Sequence, residues 1–511
     1  MRGPLVVLAC LSLSGCLVGP DYVRAPTATP PTPAYKETSD VNFRPALPRD
    51  TIDRGPWWKI YGDPTLDQLM AQVDVSNQTL KESEAAYRQA IALIRQSQSS
   101  LYPTIGYTGS TQQTSSGSGI RSASGTVSNS VGQFSAGASL SWEIDLWGRI
   151  RRTIESDQAA AQASAADLAA ARLSAQSTLA TSYFGLRISD RRRRLLEEST
   201  AAFARSMNIV RNQMNAGTAS RLDFSQAQAQ YEQTRAQLVA ETVTRAQFEH
   251  AIAALTGRTP AEVSIAPAPE PATVPTIDAG IPSALLERRP DIAAAERTMA
   301  SANAQVGVAQ AAYYPDFTFN ASINFASTVF LSLFQIASSV WSLGPQVAGT
   351  AIDGGSRAAQ VESARANYDK AVATYRQTVL TAFQQVEDGL VQQRVLEQQE
   401  QVQQAALAAA REAERISLNQ YQAGTVAYTT VVTAQTTALN AEQTLINVRL
   451  SRLNSSATLV TALGGGWSDV QLPPLTPIAG VKQQTPPPAT PVATPAAALQ
   501  APAKKRWWWP F

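Results

Sequence analysis

The chain has 511 residues, 44% hydrophobic, 7% aromatic and only 16% charged. With 42 Lys and Arg against 40 Asp and Glu, the net charge is +2, and no basic field argues for a nucleic-acid partner. A mean hydropathy of -0.15 and the absence of any long apolar run exclude transmembrane helices, so any membrane contact has to use another device.

Such a device opens the chain. In MRGPLVVLACLSLSGCLVGPDY, Arg2 precedes an apolar run from Leu5 to Leu13 and then small residues, the layout of a secretory leader. Leu13-Ser14-Gly15-Cys16 has the form of a bacterial lipobox, so residues 1–15 are expected to be removed and Cys16 to carry acyl chains. An ordinary leader with an incidental cysteine is the alternative. Cys10 falls inside the leader, which leaves one cysteine and no disulfide within the mature chain. Residues 16–50, with VRAPTATPPTPAYKE, read as an extended spacer that keeps the folded part away from the bilayer.

Residues 51–265 and 266–470 read as two copies of one plan. SSLYPTIGY (99–107) is matched by AAYYPDFTF (311–319), and WEIDLWGR (142–149) by GTAIDGGSR (349–357). NQMNAGTAS (212–220) is matched by NQYQAGTVA (419–427), and AALTG (253–257) by TALGG (461–465). Offsets drift only from 212 to 207, as one duplication with small insertions produces. Each copy predicts a helix, two strands, a very long helix, a Gly-Thr turn and a returning helix. Residues 153–216 and 356–422 carry almost no Pro or Gly, and as continuous helices they span roughly 95–100 Å. Their Ala-rich runs and Leu/Val/Tyr seams suit close, coiled-coil packing.

The strands alternate. In FTFNASINF, Phe317, Phe319, Ala321, Ile323 and Phe325 fall on one face, and Thr318, Asn320, Ser322 and Asn324 on the other. QFSAGASLSW sets Phe134, Ala136, Ala138, Leu140 and Trp142 against Ser135, Gly137, Ser139 and Ser141. About ten alternating residues cross a bilayer in a β-barrel, although a half-buried soluble sheet alternates in the same way. The leader, the lipobox and the missing helical spans favour the barrel. Two hairpins, about four strands, cannot close, and an open edge in hydrocarbon leaves backbone groups unsatisfied at several kcal/mol each. Other copies have to complete the wall: two give about eight strands filled by side chains, three about twelve with room for a lumen. The expected fold class is α+β with an internal two-fold repeat.

Gly217 and Gly424 each follow a very long helix, where a left-handed residue ends it, and Thr218, Ser220 and Thr425 are placed to cap the returning helix. Ser220-Arg221-Leu222-Asp223 reads as a capping box. For catalysis the inventory is poor. His250, the single histidine, sits mid-helix in RAQFEHAIAAL, where packing or surface exposure fits better than metal ligation, which needs companions. No Gly-rich phosphate loop or nucleophile motif stands out, and no enzyme activity, metal or cofactor is expected. RRRR (191–194) reads as a solvated helix stripe, a pocket for an acidic partner being the alternative. Residues 471–511 form a Pro/Ala-rich tail ending KKRWWWPF, suited to a membrane interface or a partner, or simply an unstructured terminus.

Six segments in order carry a resemblance: LSGC with VGPDY, PWWKIYGDPTLDQLM (56–70), SWEIDLWGRIRR (141–152), AGTASRLDFSQAQ (216–228), LLERRPDIAAAE (285–296) and LGGGW (463–467). The chain resembles the outer membrane factors of tripartite efflux pumps, the TolC family, in its lipoprotein branch. This implies a homotrimer with a twelve-stranded barrel in the outer membrane lipid of a Gram-negative bacterium. A periplasmic α-helical barrel would continue it, belted at the middle by the N- and C-terminal segments. The resemblance implies a passive conduit for small molecules such as drugs. An inner-membrane pump of the resistance-nodulation-division type would drive it through a periplasmic adaptor, the membrane fusion protein. An exit duct for type I protein secretion, and a lipid-anchored scaffold without a pore, are the alternatives. It further implies that Gly217, Thr218, Gly424 and Thr425 form tips on which adaptor hairpins dock. Many members carry acids six and nine positions after the second tip glycine, as a carboxylate ring at the periplasmic constriction. Here those positions hold Thr430 and Thr433, and the first copy has Asp223 at the equivalent sixth position. Asp223 therefore has two roles open to it, constriction or cap.

Overall fold

The computed structural model describes residues 17–28, 35–38, 56–116, 121–122, 125–126, 129–268, 274–275, 277, 288–467 and 471–474. The first copy comprises α1 (Pro64–Ser76), α2 (Gln78–Ser99), β1 (Thr104–Ser116), a short ladder of β2 (Arg121–Ser122) with β3 (Gly125–Thr126), β4 (Asn129–Glu143), α3 (Arg149–Asn215) and α4 (Arg221–Leu255). The second comprises α5 (Pro290–Ala311), β5 (Asp316–Ser327), β6 (Ser339–Ala348), α6 (Ser356–Gln422) and α7 (Tyr428–Ala462). Both long helices have 67 residues and both returning helices 35. At about 1.5 Å per residue each long helix runs about 100 Å.

The expected single helix ahead of the strands is present in the second copy and split in the first. Asn77 takes an extended conformation (φ -64, ψ 125), ends α1 and caps α2 by accepting from the Leu80 N–H at 3.1 Å. Its Nδ2 donates to the Leu255 carbonyl at 2.8 Å, which fixes the break against the end of α4.

The core is strung along the long helices. Trp57–Tyr61 forms a 3-10 turn, Gly62 turns the chain in the left-handed region (φ 63), and Asp63 accepts from the Thr65 and Leu66 N–H groups as the cap of α1. Trp57, Tyr61, Leu66, Met70 and Val73 are thereby buried against Leu179, Tyr183 and Phe184, midway along α3. Tyr35, Ile292 and Met299 make the counterpart against Tyr375, Val379, Val386 and Leu390 of α6. Each such large side chain contributes about 1.5–3 kcal/mol when fully buried. Pro473, near the far end of the chain, accepts from Gln162 Nε2 at 2.8 Å, so segments from both ends belt the helices.

Two expectations need correction here. The segment after Cys16 is not a free spacer where it is described, because polar groups on three helices hold it. Arg152, wholly buried on α3, donates to the Val18 and Gly19 carbonyls at 3.1 and 3.0 Å and to Asp21 Oδ1 at 3.1 Å. Asn303 Nδ2 donates to the Pro20 carbonyl at 3.0 Å, the Tyr22 hydroxyl to Glu296 Oε1 at 2.5 Å, and Arg24 Nε to the Tyr375 hydroxyl at 3.3 Å. Burial, with Glu296 beside it, pushes the Tyr22 phenol well up. Nor is RRRR a plain solvated stripe. Arg192 donates to Glu241 of α4 at 3.2 Å and to Asn447 of α7 at 2.6 Å, while Arg191 lies 3.9 Å from Glu442. Acids on the two returning helices draw these side chains inward. His250 stands exposed on α4, and the tail from 475 onward lies outside the described residues.

Candidate channel wall and helical tips

The four long strands form one antiparallel sheet in the order β1-β4-β5-β6, with β1 and β6 at its edges. The registers put like with like. Ile105 lies opposite Leu140, Trp142 opposite Phe319, Ile323 opposite Trp341 and Ala321 opposite Leu343, all on the face that alternation assigned as apolar. That face is open: Tyr107 is 92%, Ile105 76% and Trp341 71% exposed. On the other face Ser110 and Ser135 share a hydrogen bond at 2.7 Å, Ser322 and Ser342 at 2.9 Å, and Asn320 Nδ2 donates to Gln346 Oε1 at 3.1 Å. An apolar face this continuous is unfavourable in water and suited to hydrocarbon. From Phe134 to Trp142 the strand rises about 27 Å, which matches the apolar band of about 25 Å in outer-membrane barrels.

The helix side of the band is rimmed by amphipathic rings. Trp142 Nε1 donates to the Leu101 carbonyl and Trp147 Nε1 to the Pro315 carbonyl, both at 2.9 Å, and Trp147 stacks on Tyr314 at 4.6 Å. Each long helix then starts from a left-handed glycine, Gly148 (φ 82) or Gly355 (φ 91). Asp145 accepts from the Ile150 and Arg151 N–H groups, and Asp353 from those of Gly355 and Arg357, so each helix begins on a carboxylate. Leu17 closes onto this junction: a Cβ on Gly148 would stand 2.4 Å from Leu17 Cδ1, and the Val18 N–H donates to the Trp147 carbonyl at 3.1 Å. Cys16 itself lies just outside the described residues, next to a residue fixed where the sheet meets the helices.

At the far end the two turns share one geometry. Gly217 (φ 76) donates to the Met214 carbonyl at 3.0 Å and Thr218 to that of Gln213 at 2.9 Å; Gly424 (φ 74) donates to Tyr421 at 3.0 Å and Thr425 to Gln420 at 2.9 Å. These are paired Schellman closures. The threonine hydroxyls continue them, Thr218 Oγ1 donating back to Gln213 at 3.0 Å and Thr425 Oγ1 to Gln420 at 2.9 Å. They seal the outgoing helices, contrary to the expectation that they cap the returning ones. That second task falls to Ser220 in the first copy, and in the second Ala427 does it without a side-chain bond.

Asp223 forms the capping box: its N–H donates to Ser220 Oγ at 3.1 Å and its Oδ2 accepts from Ser220 N at 3.1 Å. Thr430 and Thr433 are exposed on α7, with the Thr433 hydroxyl donating to the Thr429 carbonyl at 2.9 Å. What sequence reasoning missed is the clasp between the tips. Tyr421 donates to Gln213 Oε1 at 2.8 Å and meets Tyr428 edge-on at 5.1 Å, over buried Val210, Ala227 and Val431. Burial first, then Tyr421 and Asp223, pushes the Tyr428 phenol up to about 12. The available signal was the mismatch inside the repeated phrase, Met214 in one copy against Tyr421 in the other.

The outer membrane efflux protein family matches residues 69–258 and 281–465. The toluene efflux pump outer membrane protein TtgC of Pseudomonas putida is 31% identical over 463 residues, covering 89% of this chain and 93% of that one. The cation efflux system protein CusC of Escherichia coli is 28% identical, covering 89% and 97%. The solved outer-membrane channel OprN superposes with a TM-score of 0.78 at 28% identity, covering 88% of this chain and all of that one. With its duplicated long helices, its two-faced sheet and these matches across both copies, the chain belongs to the outer membrane efflux protein family.

Proposed function

We propose that three copies of the chain join their sheets edge to edge, β6 of one beside β1 of the next, and close a barrel of about twelve strands around a lumen. The conduit so formed passes small molecules outward from an inner-membrane pump of the resistance-nodulation-division type, received through a periplasmic adaptor docked at the Gly217-Thr218 and Gly424-Thr425 tips. Cys16, freed by removal of residues 1–15, carries the lipid at the rim of the barrel. The carrying observation is the sheet: one apolar face, one hydroxyl-bearing face and, among the described residues, two edges with no partner strand. Such a sheet is stable in a membrane only when other copies satisfy its edges.

That the named cargoes of the relatives run from toluene to cations supports a wall that selects little, with choice made upstream by the pump. Thr430 and Thr433, hydroxyls at positions where the family resemblance implies acids in many members, would make the constriction a weak discriminator of charge. The test is a planar bilayer holding the purified, full-length protein. Stepwise conductance together with a trimeric mass in detergent is expected; a trimer that never conducts would favour the scaffold reading instead.

A further inference from the structure

The connection from β5 to β6, residues 328–338, is TVFLSLFQIAS and carries no charged side chain. It lies at the end of the sheet away from the helices, where a barrel faces the exterior. Yet Leu331 is 92%, Ile336 89%, Phe334 70% and Phe330 64% exposed. Apolar side chains gathered this densely mark a contact surface.

Two observations say with what. The first is direction. Phe330 meets Phe134 edge-on at 5.5 Å and Phe334 meets Phe325 at 5.6 Å. Phe134 and Phe325 belong to the apolar face, Phe325 lying opposite Ala136, so the loop bends over the lipid side of the sheet and not over its hydroxyl side. The second is how the loop disposes of its polar groups. The N–H groups of Ser332, Leu333, Gln335 and Ser338 donate to carbonyls three residues back, and the Val329 N–H donates to Ser327 Oγ. The hydroxyls of Ser332, Ser338 and Ser339 donate to the carbonyls of Val329, Ser332 and Ile336 at 3.0, 3.0 and 2.7 Å. Leu333, 4% exposed, fills the inside of the turn. Bonds of this kind lower the cost of moving those groups out of water into hydrocarbon.

We propose that residues 328–338 form a membrane-docking element, in which Phe330, Leu331, Phe334 and Ile336 lie among the acyl chains of the outer leaflet beside the barrel. The occupant is lipid hydrocarbon. Continuity with the lipid-facing sheet argues for acyl chains, and the absence of charge from the loop argues against headgroups. The inference rests on reading the sheet as a barrel wall. In the trimer it gives three apolar wedges that extend the hydrophobic surface past the last strand residues and fix the depth at which the channel sits.

The experiment places spin labels at single introduced cysteines, Leu331→Cys and Ile336→Cys in the loop, Leu343→Cys on the apolar face and Ser322→Cys on the other. The full-length protein is reconstituted in phospholipid vesicles, and the wild-type chain carried through the same labelling sets the background from Cys16. Collisions with dissolved oxygen, which partitions into hydrocarbon, are compared with collisions with a water-soluble nickel complex. Labels at 331 and 336 are expected to give an oxygen-to-nickel ratio above one, as at 343, with the ratio inverted at 322. Nickel dominant at 331 and 336 but oxygen dominant at 343 would overturn the docking element and leave the barrel standing. Low access to both reagents, with dipolar broadening between loops, would show that the copies meet each other there and would overturn it equally. Nickel dominant at 343 would remove the barrel wall itself.

Discussion

The tip turns offer the sharpest perturbation, because backbone conformation alone dictates their glycines. Among the described residues a Cβ built on Gly217 or Gly424 meets nothing within 4 Å, so space within the chain is not the constraint there; φ of 76 and 74 is. Alanine in that region costs about 1–2 kcal/mol, and asparagine, which tolerates the left-handed region, less. Proline is different in kind. Its ring fixes φ near about −65°, and it deletes the N–H that donates to Met214 or Tyr421 at 3.0 Å. Neither Schellman closure survives, and the returning helix leaves the turn in a new direction. The sheet lies a helix of 67 residues away, about 100 Å, so strand pairing between copies should be untouched. In cells, crosslinking to the periplasmic adaptor and drug susceptibility are read beside trimer abundance. Activity should fall in the order Gly, Asn, Ala, Pro, with the Gly217→Pro/Gly424→Pro double variant assembled but inactive. Full efflux by that double variant would refute docking at the tips. Alanine as harmful as proline would instead point to a partner surface pressed against the Cα hydrogens.

Cys16→Ser should lose its acyl chains yet remain in the outer membrane, since a closed barrel retains itself there; intact-mass analysis that finds wild-type Cys16 unmodified would remove the anchor. Reversal potentials under a salt gradient should show weak ion selectivity, and Asp223→Ala should leave them unchanged while loosening the tip by about 0.5–1.5 kcal/mol, because the Ser220 N–H loses its carboxylate acceptor and only the Ser220 half of the capping box remains. Strong cation selectivity that persists in that variant would contradict a hydroxyl-lined constriction. Tyr421→Phe deletes the hydroxyl bond to Gln213 and should loosen the clasp by about 0.5–1.5 kcal/mol, raising mean single-channel conductance. Tyr428 is raised in the folded state, so the stability its neutral form contributes is fully present below its ordinary value of 10.0 and is lost as pH rises through about 12. The Tyr428 contribution to tip packing should therefore hold steady up to about pH 9, as judged by thermal unfolding.

Local rules reached as far as local causes extend. The strand faces were readable because a period of two is set by each residue's own pleat, and register then aligned Ile323 with Trp341 and Ser322 with Ser342. The split at Asn77 was hidden, because its second partner, the Leu255 carbonyl, lies 178 residues on. Arg152 was hidden for the same reason. In RIRR it is one more cation in a charged run, and only the carbonyls of Val18 and Gly19, more than 130 residues earlier, make it a wholly buried clamp. The direction of the Thr218 and Thr425 hydroxyls was misread for a geometric reason: in a Schellman turn the residue after the glycine folds back over the helix it leaves, so its side chain meets the Gln213 or Gln420 carbonyl first.

The pattern of agreement between the copies carries one further argument. The long helices match at 67 residues and the returning helices at 35, whereas the strands do not match: β1 and β4 have 13 and 15 residues against 12 and 10 in β5 and β6. A strand in lipid need only be long enough to cross, and surplus residues pass into loops at no cost to the wall. A helix that ends at a shared mouth has no such freedom. One residue added to α3 alone would lower its tip by about 1.5 Å and turn its face by about 100° relative to that of α6. That rotation is enough to part Gln213 from Tyr421 and to present the two Gly-Thr turns in different orientations. Equal helices are thus what a clasped, level set of tips demands, and they put the strictest geometric requirement of the chain at the end farthest from the membrane.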